Sequence, residues 1–162
     1  MSGKKATVRK TPVRSSLKSN SQLLPLVHDG LGAVKKGDRG YLDEAIRSDF
    51  GDSIDIDAAF HQGHEQENRW DYLLGHSPTK ALIAVEPHSA KQDEVTAIIK
   101  KKQGARAQIG PHLRDGAKIA TWLWVASGPV HFADTEAVRR RLDQNGIKFV
   151  GKRVQVRHLP DA

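Results

Sequence analysis

Asp71 and Glu86 stand near the two ends of the stretch Arg69 to His88, RWDYLLGHSPTKALIAVEPH, and can act together only if a turn brings them face to face. Ser77-Pro78-Thr79-Lys80 fits a type I turn, with serine at the first position and proline at the second, where its fixed φ is already correct. With those four residues as the loop, an antiparallel hairpin pairs His76 with Ala81, Leu74 with Ile83, Tyr72 with Val85 and Asp71 with Glu86. Facing side chains have Cβ atoms roughly 4.5–5.5 Å apart, and like charges there repel. A salt bridge to Arg69 or Lys91, or a one-residue slip that sends the acids to opposite faces, would make the pair structural. A hard divalent cation between them would make it catalytic. Mg²⁺ is held by one or two carboxylates, keeps several waters and takes up substrate phosphate, where it polarises a phosphoryl oxygen and acidifies a bound water.

The elements around this hairpin must position it. Residues 89–109 predict a helix: Ser89 with Gln92 is a capping-box pattern, and Val95, Ile98, Ile99, Ala105 and Ile109 keep one face apolar. Residues 119–126, IATWLWVA, are apolar on both alternating faces, as in a strand buried at the middle of a sheet. Asp134 is placed to cap a helix ending at Asn145 and Gly146, and residues 149–159 predict a last strand or strand pair broken near Gly151. Before the hairpin, residues 23–36 carry apolar residues at helical spacing, residues 41–50 a second helical piece or the continuation of that helix past Gly37 and Gly40, and Asp57 a cap for a short helix through Phe60. Pro87 removes a ladder donor, so the second hairpin strand is expected to leave the sheet there.

An acid on one strand (Asp71), Glu86-Pro87-His88 closing the next, then a helix, a buried strand, a helix and a strand resembles the PD-(D/E)XK nuclease-like superfamily. The resemblance spans residues 23–159 and implies an α/β fold, a mixed central sheet flanked by helices with a restriction-endonuclease-like core of helix, three strands, helix and strand. It implies Asp71 and Glu86 as ligands of Mg²⁺ or Mn²⁺, with Glu44 of the first helix as a third, in a metal-dependent nucleic-acid phosphodiesterase. His88 stands where the family has its lysine. Either a neutral imidazole serves as the base, or a lysine of the following helix replaces it: Lys91, one turn in and best placed, Lys101 or Lys102. The alternative is a non-catalytic nucleic-acid or protein interaction module on the same scaffold, for example in a defence or toxin system.

Charge distribution agrees with either use. The chain of 162 residues carries a net +7, but residues 1–20 hold six basic residues and no acid, residues 21–99 seven basic and fourteen acidic, and residues 100–162 thirteen basic and five acidic. Lys101, Lys102, Arg106 and Arg153 of the basic part are candidate nucleic-acid contacts. Residues 1–20 are too poor in large apolar side chains to offset the entropy of ordering, which predicts a disordered basic tail before one domain over 21–162. His61, His64 and Glu65 lack the HExxH order of a zinc hydrolase, and Trp70, Trp122 and Trp124 read as core rather than as base-stacking platforms. With no cysteine there is neither a disulfide nor a thiolate metal site, and with no apolar leader or membrane-length run a cytoplasmic location is expected.

Overall fold

In the computed structural model, which describes residues 10–63, 68–91, 93–131 and 135–161, six strands form one mixed sheet in the order in which they occur along the chain. Strands β1 (His28–Asp29), β2 (Phe50–Asp55), β3 (Tyr72–His76) and β4 (Ala81–Ala90) are successive antiparallel neighbours. β5 (Ile119–Val130) lies parallel to β4, and β6 (Ile147–Phe149) parallel to β5. The α-helices are α1 (Pro12–Ser16), α2 (Ile56–Phe60), α3 (Glu94–Ile109) and α4 (Glu136–Gln144).

The hairpin register is the one its turn demands: Tyr72 faces Val85, Leu74 faces Ile83 and His76 faces Ala81. Lys80 closes the loop with φ +59°, the left-handed region. β5 is buried from Trp122 to Ala126, since it has a parallel neighbour on each side and a packed layer on each face. Side-chain alternation divides the core. Leu73, Leu82, Ala84, Trp122 and Trp124 pack with Val95, Ile98 and Ile109 of α3, while Tyr72, Leu74, Ile83, Val85, Leu123 and Val125 meet Leu42, Ile46 and Val154 on the other face. That second layer is built from irregular chain and short 3-10 segments, not from long helices.

Several local expectations give way to tertiary or backbone constraints. Residues 23–36 form a 3-10 turn (Leu24–Leu26) and β1 instead of a helix, because Gly30 takes φ +53° and a side chain on Gly32 would collide with His28. Residues 41–50 are covered mainly by a 3-10 segment (Glu44–Asp49) that leads directly into β2. Asp55, not Asp57, caps α2, its Oδ1 accepting the Ala58 N–H at 2.8 Å. Ser89 is still in β4, and α3 starts at Glu94, while Gln92 lies outside the described residues. Thr135 caps α4, accepting the Val138 N–H at 3.2 Å, and Asp134 lies outside the described residues. Gly146 ends that helix with φ +66°, and the expected final strand is reduced to β6 and a 3-10 turn (Val156–His158). Pro87 remains in β4, facing Val125; β3 has already ended there, so the strand has an open side on which proline is tolerated.

The segment expected to be a tail is in part structural. Residues 10–20 include α1, and Val13 of that helix and Leu17 at its C-cap are buried in the main core. The carboxylate of Asp52, itself fully buried, accepts the Val13 N–H at 3.0 Å and the Arg14 N–H at 2.9 Å, satisfying the free donors at the helix start. Gly75 leaves the space for this seat: a Cβ there would stand 2.9 Å from Cβ of Pro12 and against the Asp52 carboxylate. The rest of the expected tail, residues 1–9, lies outside the described residues. Among the described residues no helix is long and apolar enough to cross a membrane.

Candidate active site

The residue just before β3 is Asp71, one position beyond the last ladder pair, and Glu86 follows Val85 on β4. Glu86 points to the α3 face, since it alternates with Val85 and continues the row of Leu82 and Ala84. Its side chain is 1 % exposed. A buried carboxylate needs partners, and it has three: Oε1 accepts the Asp71 N–H at 2.8 Å, while Oε2 lies 3.1 Å from Lys101 Nζ and 3.6 Å from His88 Nδ1. His88, two residues on along the same face, turns its other nitrogen to Glu94, Nε2 to Oε2 2.9 Å. The Ser89 hydroxyl donates to the second oxygen of Glu94 at 3.3 Å.

Helix α3 supplies Glu94 and Lys101 because they are seven residues apart, two turns along one flank. That flank faces the Asp71 and Glu86 end of the hairpin. Lys102, a third of a turn around, faces the other way, toward Trp122 of β5 and the carbonyl of Asn145, which its ammonium group reaches.

Glu86 is close enough to shift Asp71. Burial first, and the Glu86 charge second, push the Asp71 carboxyl up to about 7, with Lys101 opposing and Asp57 and Asp55 adding to the rise. Arg69 Nε is 2.9 Å from Asp57. His88 is raised above the ordinary imidazole value, chiefly by Glu86 and then by Glu94, against the effect of burial, while the same contact holds Glu94 below the usual carboxylate range. Near neutral pH the cluster thus holds a partly protonated Asp71 and an imidazole biased toward its charged form.

Of the residues singled out in the sequence, Asp71, Glu86, His88 and Lys101 come together. Lys91 does not: it is exposed before the first turn of α3, and the lysine on Glu86 comes instead from ten residues further along. Glu44 is exposed between Leu42 and Ile46, which belong to the opposite face of the sheet, so it cannot join Asp71 and Glu86. Lys102 and Arg106 line a separate cleft on the far flank of α3, and Arg153 is exposed beyond β6. His64 and Glu65 lie outside the described residues. Glu94 was not singled out; the signal that finds it is its two-turn spacing from Lys101.

Among the described residues no group of three or more histidine or acidic side chains is arranged to hold a metal. Asp71 and Glu86 supply two neighbouring acids, and both oxygens of Glu86 already have donors within the chain. Compared with protein-family models, curated proteins and solved structures, the chain matches none.

Proposed function

We propose that the protein is a metal-dependent nucleic-acid phosphodiesterase with a restriction-endonuclease-like core. The observation that carries this reading is the convergence of an acid before one strand, a buried acid near the end of the next, and a lysine. Lys101 Nζ sits 3.1 Å from Glu86, whose other oxygen is tied to the backbone of Asp71. The order of antiparallel β2, β3 and β4, then α3, then parallel β5 supports it further. In this reading Lys101 takes the part of the family's lysine, and Asp71 and Glu86 would hold Mg²⁺ or Mn²⁺. When bound, such an ion supplies Lewis-acid polarisation of a phosphoryl oxygen and a more acidic water. Lys101 places a fixed positive charge where negative charge develops on the phosphate. His88 accepts a proton in its neutral form, and Glu94 holds the ring by its far nitrogen.

Cleavage of a labelled oligonucleotide and of a plasmid with Mg²⁺ or Mn²⁺ tests the reading. Lys101→Ala is expected to lose at least about a hundredfold in rate, whereas Lys91→Ala retains the wild-type rate. Full activity of Lys101→Ala would overturn the assignment of roles. One observation favours the second reading, a non-catalytic interaction module of the kind found in defence or toxin systems: both oxygens of Glu86 are already occupied by the chain's own donors. No cleavage with any divalent metal would decide for it.

A further inference from the structure

On the flank of α3 away from Glu86 lies an open cleft of about 550 Å³, within the range of roughly 300–1,000 Å³ common for ligand sites. Ile109 and Trp122 contribute its apolar floor, and Lys102, Arg106, Arg114 and Lys118 its cationic wall. Among the described residues none of these four cations is ion-paired, although Asp115 also lines the cleft. The cluster is not what a helix end alone requires. The partial negative charge at the C-terminus of α3 accounts for Arg106 in its last turn, but Arg114 and Lys118 belong to the following loop.

Two of the cations are held in place before any ligand arrives. Lys102 bonds the Asn145 carbonyl and lies over Trp122, 5.4 Å from the ring centroid, and Arg114 Nε donates to Leu17 O at 2.8 Å. Arg106 and Lys118 are exposed at the wall. Arg106 lies near enough to Lys102 to depress its basicity, after burial, as expected of like charges awaiting an anion. We propose that this cleft binds the phosphate backbone of a nucleic-acid strand, as a second contact separated from Asp71 and Glu86 by the width of α3. Four cations around a cleft of about 550 Å³ are more positive charge than one phosphate needs, so a chain of phosphates suits the site better than a single free anion. The choice of a nucleic acid among polyanions rests on the functional reading above; the phosphate chemistry does not.

The test is binding of a fluorescent oligonucleotide by anisotropy in EDTA, across a salt series, with the full chain. Arg106→Glu combined with Lys118→Glu changes only exposed groups. It is expected to weaken binding at least tenfold and to lower the slope of log K against log salt by about 1.4–1.8, the loss of two phosphate contacts. Lys36→Glu with Lys152→Glu, an equal charge change on exposed residues elsewhere, should alter affinity less than threefold. An equal loss in both double variants would show general attraction to a basic protein and overturn the proposal, as would no loss in either. Competition by a mononucleotide or by inorganic phosphate at the same phosphate concentration as effective unlabelled strand would assign the cleft to free anions and also overturn it. Strand binding at the cleft without cleavage by the wild-type protein would sink the nuclease reading and leave this one standing. Cleavage that continues undiminished in Arg106→Glu/Lys118→Glu, with binding intact, would do the reverse.

Discussion

A carboxylate as enclosed as Glu86 survives in the interior because every lone pair that matters has a donor, and those donors are also what would make it useful. Glu86→Gln keeps the acceptor for the Asp71 N–H but removes the charge. Since Glu86 is the second cause of the shift at Asp71 after burial, the Asp71 carboxyl is expected to fall from about 7 part of the way toward 3.8, read by carboxyl ¹³C shifts across a pH titration. Lys101→Met removes the group that opposes the shift, so the same signal should titrate at higher pH than in the wild type. Movement in the opposite direction in either variant would show that the pair is not coupled. For His88 the sign follows from its two glutamates. They favour the imidazolium, so an activity that needs the neutral ring should rise with pH through a value above the ordinary 6.5. Glu94→Gln should move that rise to lower pH without removing the activity, whereas a merely structural Glu94 would leave the profile in place.

The element scale turns on α1, five residues long yet anchored in the core through Val13 and through Leu17 at its C-cap. An isolated helix of that length does not persist in water. Its permanence comes from the Asp52 carboxylate on its two leading N–H groups and from the absence of a side chain at Gly75. Asp52→Ala should destabilise the fold by about 2–4 kcal/mol in urea unfolding, because it strands one buried and one part-buried donor and loses the bonds they make. Gly75→Ala should cost a comparable amount by displacing Pro12 from the sheet. A chain beginning at residue 21 should unfold at far lower temperature than the full chain. An unchanged midpoint would mean that α1 adds nothing to the core.

For the molecule as a whole, the titration of Asp71 becomes a pH dependence of stability. A carboxyl that titrates at about 7 when folded and near 3.8 when unfolded binds more protons in the native state between those values. Stability from this group is thus fully present below about pH 3.8 and is lost as pH rises through 7, by an amount on the order of a few kcal/mol. The raised imidazole of His88 acts with the same sign, over a window beginning near 6.5. Asp71→Asn should therefore flatten the decline in stability between pH 4 and 8, and the wild-type minus variant difference in urea unfolding isolates the effect from that of the other acids. A divalent cation at the two carboxylates should restore stability above pH 7 in the wild type and have no effect in Asp71→Asn.

What local patterns could determine here was everything that depends on neighbours in the chain. The turn chemistry of Ser77-Pro78-Thr79-Lys80 set the hairpin register and so brought Asp71 to Glu86, and the apolar periodicity of α3 and the unbroken run in β5 specified a buried helix and a buried strand. Apolar spacing alone misread residues 23–36, where the left-handed glycine outweighs the pattern, and composition alone misread α1, whose few apolar residues happen to fall on a waiting surface. Which lysine meets Glu86 was decided only in three dimensions. Proximity along the chain favoured Lys91, but β4 runs on past Pro87 to Ala90 and delays the helix, so the rotation of α3 about its own axis puts Lys101 on the site and turns Lys102 to the far flank. A sequence shows the period of a helix directly, while the phase of that helix against a sheet is set by how its apolar side chains pack.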